Sequence, residues 1–131
     1  MKQKHQKQYA GVWLDNTKAL IIADTSEGDT SEYTILDKVK ANEAHGGGSE
    51  HSMNNAKQSD MLKYYKTLST LLLDYDEIFV FGPGKSQEQF QHHLQQDAQF
   101  NSKKITIDSA EQLTDPQMIA KVRDHFKSRQ S

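Results

Sequence analysis

Residues equipped for chemistry fall into a few groups in this sequence. The first is "FGPGKS", Phe81 to Ser86, where Gly82, Gly84, Lys85 and Ser86 precede an amphipathic stretch. Free N–H groups at a helix start, beside a cation and a hydroxyl, suit an anion such as phosphate or carboxylate. The spacing is not Gly-x-x-x-x-Gly-Lys-Ser/Thr, so no nucleotide-binding P-loop is spelled. The same residues also read as a tight strand-to-helix turn. The second group is carboxylates: Asp15, Asp24 and Asp108 each end a strand-like segment. A two-metal nuclease needs several carboxylates converging on ions roughly 3.5–4 Å apart. The apolar run "EIFVF" offers no central acid to join Asp15. Asp15 therefore reads as a turn residue, its carboxylate accepting from the N–H groups of "NTK".

Histidines form the third group. His45 and His51 flank three glycines, and His92 and His93 are adjacent. Neighbours on a helix point about 100° apart and do not chelate one ion together. With no cysteine and no His-Glu-x-x-His, no metal site is expected, and the histidines read as solvated surface residues. The "HGGG" of His45 to Gly48 has no Gly-x-Ser-x-Gly elbow beside it, so an esterase-type hydrolase is not indicated. The surrounding stretch, "ANEAHGGGSEHSMNNAKQ", is a long polar segment rich in glycine. Ordering such backbone costs more entropy than ordering other residues. Loops of that length in a compact domain are either functional or disordered.

These groups need a scaffold, and composition limits its kind. The chain has 131 residues, 26% charged and 34% hydrophobic, with a net charge of -2. That length fits one domain with one core and no staples. The slight negative charge argues against a generic high-affinity nucleic-acid binder, although local basic patches remain open. No apolar run reaches membrane-spanning length, and the basic start "MKQKHQKQ" lacks the apolar core of a signal peptide. A cytoplasmic protein is expected, with residues 1–8 a basic disordered tail, 9–127 a single α/β domain and 128–131 a frayed end.

Hydropathy patterning supplies the elements. "YAGVWLD", "ALIIA" and "YTILDKV" read as three strands, the first two a hairpin. Gln58 to Leu73 reads as a helix with Met61, Leu62, Tyr65, Leu68 and Leu72 on its apolar face. "EIFVF" is a strand covered on both faces. Ser86 and Gln89 have capping-box spacing, ahead of Phe90 and Leu94 on a buried helix face. "KITID" is a fifth strand. "LTDPQMIAKVRDHF" is the last helix, capped by Thr114 or Asp115, with Ile119, Val122 and Phe126 on one face. The order β-β-β-α-β-α-β-α predicts an α/β domain with a mixed five-stranded sheet, order 3-2-1-4-5, and helices on both faces. This is ribonuclease H-like topology. The carboxyl ends of strands 1 and 4 then meet at the switch point, where ligands sit in open α/β folds.

Taken in order, "GVWLDNTKALII", a third strand, the glycine-rich loop, a long helix, "IFVFGPGKSQEQF", "KITID" and a final helix resemble the central domain of the archaeo-eukaryotic peptide-chain release factors and their relative Pelota. The resemblance covers roughly Tyr9 to Phe126, in a stand-alone version. In that family the loop after strand 3 carries Gly-Gly-Gln, which acts on peptidyl-tRNA. Here Gly46 and Gly47 match the two glycines, Gly48 stands in the Gln position and Ser49 follows. The resemblance thus implies binding to the ribosome or tRNA without catalysis or cofactor. The loop residues His45, Gly46, Gly47, Gly48 and Ser49 would make contact, with Lys57, Lys63 and Lys66 on the next helix meeting phosphates. Two other readings stay open from the residues themselves. One is a small-anion or nucleotide binder or enzyme using Asp15, Gly82, Gly84, Lys85 and Ser86. The other is a protein-interaction module, a homo-oligomer being one form of it.

Overall fold

A computed structural model of the chain describes residues 8–24, 32–41 and 53–130, with side chains described from 61 to 127 in the last stretch. The tail of residues 1–7, the turn at 25–31, the glycine loop at 42–52 and the final residue lie outside the described residues. The elements run β1 (Tyr9–Leu14), β2 (Lys18–Asp24), β3 (Tyr33–Lys40), α1 (Met53–Leu71), β4 (Glu77–Gly82), α2 (Ser86–Gln95), β5 (Lys104–Ser109) and α3 (Asp115–Gln130). A short 3-10 turn, Ala98–Phe100, precedes β5. The sheet order is β3-β2-β1-β4-β5. β1, β2 and β3 pair antiparallel, while β1–β4 and β4–β5 pair parallel. Both order and directions are those expected from the sequence. No helix among the described residues is long and apolar enough to cross a membrane.

Period-2 alternation distributes the strand side chains between two cores. Ala10, Val12, Leu14, Ile78 and Val80 pack with Tyr64, Leu68, Leu72, Phe90 and Leu94 under α1 and α2. Trp13, Phe79 and Phe81 pack with Met118, Val122 and Phe126 under α3. β4 is buried along its whole length, as its unbroken apolar run requires. β3 changes face along its length. Ile22 pairs with Ile35 but Ile21 pairs with Asp37, so Leu36 is an extra residue in the strand. The bulge reverses the alternation. Tyr33 and Ile35 pack on the α3 side, whereas Val39 and Ala41 pack on the α1 side. Leu36 is left 42% exposed.

The helices differ from the sequence reading in their limits, faces and caps; α1 also ends at Leu71 rather than Leu73. α1 begins at Met53 rather than Gln58, because the polar run "MNNAKQ" carries no apolar period to mark its start. Leu62 is 61% exposed, since Met61, Tyr64, Tyr65, Leu68 and Leu72 define the buried stripe and position 62 falls about 100° off Met61. α2 has no capping box: Lys85 is the N-cap and makes no side-chain cap bond, while Ser86 is already inside the helix. α3 keeps its cap. Gln117 N donates to Thr114 Oγ1 at 3.3 Å and Thr114 N donates to Gln117 Oε1 at 2.8 Å, the reciprocal pair of a capping box. At the far end of α1, Lys103 Nζ donates to the carbonyls of Leu73 and Tyr75, both at 2.7 Å, satisfying acceptors left open there.

α3 approaches the sheet through Gly11. A Cβ built at Gly11 would lie 2.3 Å from Val122 Cγ2 and 2.9 Å from Cγ1. Valine is stiff at χ1, so it cannot swing away. We expect Gly11→Ala to destabilise the protein by about 1–3 kcal/mol through overpacking. Chemical denaturation checks this. In the Val122→Ala background the same change should cost far less, and an undiminished penalty there would show that the contact is not the cause.

Candidate functional site at the carboxyl edge of the sheet

The carboxyl ends of β1 and β4 lie side by side, Trp13 opposite Phe81. β3 runs parallel to β1, so it also ends on this edge, Lys40 opposite Lys18. Ala41 N donates to Thr17 O at 2.8 Å, pinning the last described residue before the glycine loop to the β1–β2 turn. α1 reaches the same edge through Tyr64, whose hydroxyl donates to Asp15 O at 3.0 Å. The turns of α1 that precede Tyr64 therefore lie at or beyond this edge.

Asp15 is committed to its own turn, as its sequence predicted. Its Oδ1 accepts from Thr17 N at 2.8 Å, Thr17 Oγ1 at 2.9 Å and Lys18 N at 2.9 Å. Burial pushes its pKa up, but the N–H groups of Thr17 and Lys18, the Thr17 hydroxyl and the Lys18 charge outweigh that, and the net shift is downward. Tyr64 moves the other way: burial raises its pKa, with Asp15 and Tyr65 adding to the rise.

Beside this turn, Ser86 is buried and its Oγ donates to Asn16 Oδ1 at 2.9 Å. Gly84 has φ of +64°, a conformation glycine adopts without steric cost. A Cβ on Gly82 would come within 2.1 Å of Leu14 O, so only glycine lets β4 end this close to β1. Lys85 is exposed. Of the residues proposed to hold an anion, Asp15 thus spends its Oδ1 on its own turn and Ser86 its hydroxyl on Asn16 of that turn, and Gly82 and Gly84 shape the backbone. Gln87 was not singled out by the sequence. It is 3% exposed, and its Oε1 has no hydrogen-bond partner among the described residues. Asn16 and Tyr64 were also missed. The only signal for Asn16 was its place in an Asx-turn sequence.

The three carboxylates do not converge. Asp24 ends β2 on the opposite edge, where it accepts from Glu32 N at 3.0 Å. Asp108 lies on β5 and pairs with Lys121 at 3.3 Å. No group of three His, Asp or Glu among the described residues is placed to hold a metal. His92 is exposed and its Nε2 lies 3.0 Å from Gln96 Nε2. His93 is not the free surface residue expected. It packs against Tyr65, with centroids 5.4 Å apart, and against Phe90 at 6.3 Å. Burial lowers its pKa, opposed by Asp97.

Lys63 and Lys66 are exposed on the outer face of α1. With Thr67, Thr70 and Leu71 they line a shallow groove along it. The stretch from Met61 to Leu71 contains no carboxylate. Lys57 belongs to the early turns of α1, and its side chain lies outside the described ones. His45, Gly46, Gly47, Gly48 and Ser49 lie outside the described residues.

No protein-family model matches the sequence. No curated protein matches it either. Solved structures do match the fold. Pelota from Thermoplasma acidophilum aligns with 94% of this chain at a TM-score of 0.60 and 18% identity, over 34% of its own length. An archaeal translation termination factor, aRF1, aligns with 94% at a TM-score of 0.50 and 11% identity, over 40% of its length. A ribosome-bound archaeal Pelota, with ABCE1, aligns with 92% at a TM-score of 0.55 and 18% identity, over 34% of its length. The chain thus spans between a third and two fifths of these proteins. Its fold is like that of the Pelota and aRF1 central domain.

The lowered pKa of Asp15 predicts a pH dependence. A carboxyl whose folded pKa is depressed stabilises the fold above its unfolded pKa, and that contribution is lost as pH falls through the folded value. Asp15→Asn keeps an acceptor oxygen but removes the charge. It should be less stable than wild type at pH 7, and the gap should close as pH falls below about 4. Urea titrations of both proteins across that range provide the check. A gap independent of pH would mean the charge is not what stabilises the turn.

Proposed function

We propose that this chain is a non-catalytic, translation-associated domain that binds the ribosome. One observation carries the reading: a fold likeness over nearly the whole chain to Pelota and an archaeal termination factor, one of those Pelota structures being ribosome-bound. In this reading, residues 9–127 form the binding domain and act in the cytoplasm. The loop of His45 to Ser49 is the probe, and Lys57, Lys63 and Lys66 meet RNA phosphates. The exposed Lys63 and Lys66, in the carboxylate-free stretch from Met61 to Leu71, support that role, since a chain of net charge -2 needs a local basic surface to approach phosphate. Hydrolysis is not part of the proposal, because Gly48 occupies the position where the release-factor resemblance puts glutamine. The internally satisfied Asp15 and Ser86 give less support to an anion-processing site at the switch point.

Co-sedimentation with ribosomes tests this directly. The full chain should pellet with ribosomes at low salt and dissociate steeply as salt rises. Lys63→Ala with Lys66→Ala should lower the slope of log K against log salt by about 2. Deleting Gly46 to Gly48 should weaken binding while thermal stability holds. Adding free tRNA as competitor separates a tRNA contact from a ribosomal one. A protein that stays at the top of the gradient even at low salt is not a ribosome-binding domain.

A further inference from the structure

We propose that β5 is a self-pairing edge, through which two copies of this chain join by antiparallel pairing into one continuous sheet. β5 is an outermost strand, and among the described residues no strand lies outside it. Lys104 N donates to Asp76 O at 3.1 Å and Ala110 N donates to Gly82 O at 2.8 Å. In a ladder the inward-facing residues alternate. The even positions therefore bond β4, and Ile105 and Ile107 turn both N–H and C=O outward. Ser109 N is already taken by Asp108 Oδ1 at 2.9 Å, so the free groups centre on Ile105 and Ile107.

The sequence "KITID" is complementary to itself in one register. With Thr106 opposite Thr106, Ile105 of each copy faces Ile107 of the other as a hydrogen-bonded pair. Lys104 then faces Asp108 on both sides of the two-fold. Cross-strand pairs of opposite charge, of threonine and of β-branched residues each stabilise an antiparallel ladder. The two neighbouring allowed registers, centred on Ile107 and on Ile105, set Thr106 against Asp108 or against Lys104, and both lose the charge pairing. Ile105 and Ile107 are only half-buried where they pack against the α1–α2 core, so pairing would cover them further. Lys104 and Asp108 are exposed. The existing Lys121–Asp108 contact uses Oδ2, with both side chains part-exposed.

The opposite edge is built differently. β3 carries a bulge at Leu36 and the charged residues Asp37, Lys38 and Lys40, devices that block edge-to-edge pairing. β5 has a continuous register from Lys104 to Ser109 and neither bulge nor proline. A closed two-fold also uses up the edge, which prevents open-ended growth.

Light scattering coupled to size exclusion, across a concentration series of the full chain, should give twice the mass of one chain. Lys104→Asp places acid against acid, and Asp108→Lys places lysine against lysine. Each should weaken self-association about tenfold or more. An equimolar mixture of the two variants should recover the dimer, seen by native mass spectrometry as the heterodimer. Lys104 is exposed and in no ion pair among the described contacts, so Lys104→Asp reads the interface with the fold intact. A wild-type protein that keeps the mass of one chain throughout overturns the proposal. So does a dimer that both charge variants leave unchanged, or a mixture that forms no heterodimer.

Discussion

β1 and β4 lie side by side in parallel, from Tyr9 opposite Glu77 to Trp13 opposite Phe81, and both are buried on both faces. The remaining elements depend on this pairing. It divides the chain into a hairpin-built half, grown outward through β2 and β3, and a crossover-built half, grown outward through β5. The direction of growth reverses there, which makes the carboxyl ends of these two strands the switch point of the sheet. Two glycines on these strands permit close approaches. Gly82 lets β4 finish against the Leu14 carbonyl, and Gly11 lets Val122 of α3 settle onto β1. One glycine fixes the edge where the candidate site sits, and the other fixes the helix that closes the opposite core.

Most of this architecture was legible because it rests on period and run length. "EIFVF" is apolar at every position, which only a strand covered on both faces tolerates. The hairpin and the last helix carry conventional turn and capping residues. What failed to read from sequence did so for local reasons. The bulge at Leu36 is a pairing event between strands, and the alternation of β3 alone does not show which residue is the extra one. The start of α1 has no apolar period, so nothing distinguishes its first turns from the loop before it. Ser86 has the identity of an N-cap, but its hydroxyl finds a tertiary acceptor in Asn16, a partner distant in sequence.

The candidate site was legible in a different sense. Glycine, lysine and serine types after a strand mark where a ligand-binding edge falls, but they do not say whether the polar groups are free. Here they are largely engaged. Asp15 binds its own turn, Ser86 binds Asn16, and Tyr64 ties α1 to the Asp15 carbonyl. Oxyanion-type stabilisation needs donors that are preorganised yet free to point at the reacting group. An edge whose side chains bond one another is a rigid mount. Sequence could rank the residue types but not decide between these two conditions, because each bond involves atoms brought together only by the β1–β4 pairing.

That rigidity bears on the loop it carries. The segment bearing Gly46 to Gly48 leaves the described structure at Ala41, which is bonded to Thr17 and packed in the core. Its return is into α1, anchored at Tyr64 on the same edge. A glycine-rich segment costs much entropy to order, so its two attachment points must be firm if contact with a partner is to recover that cost. Ala41, before the loop, and Tyr64, in the helix that follows it, are both bonded to one turn, Asp15 to Lys18, whose carboxylate is held by three donors. The turn that the sequence offered as a candidate site for chemistry is therefore also the point to which β3 and α1, the elements on either side of the loop, are bonded. The proposed binding through the loop and the outer face of α1 requires no reactive side chain at the switch point, which is consistent with the polar bonds of Asp15, Ser86 and Tyr64.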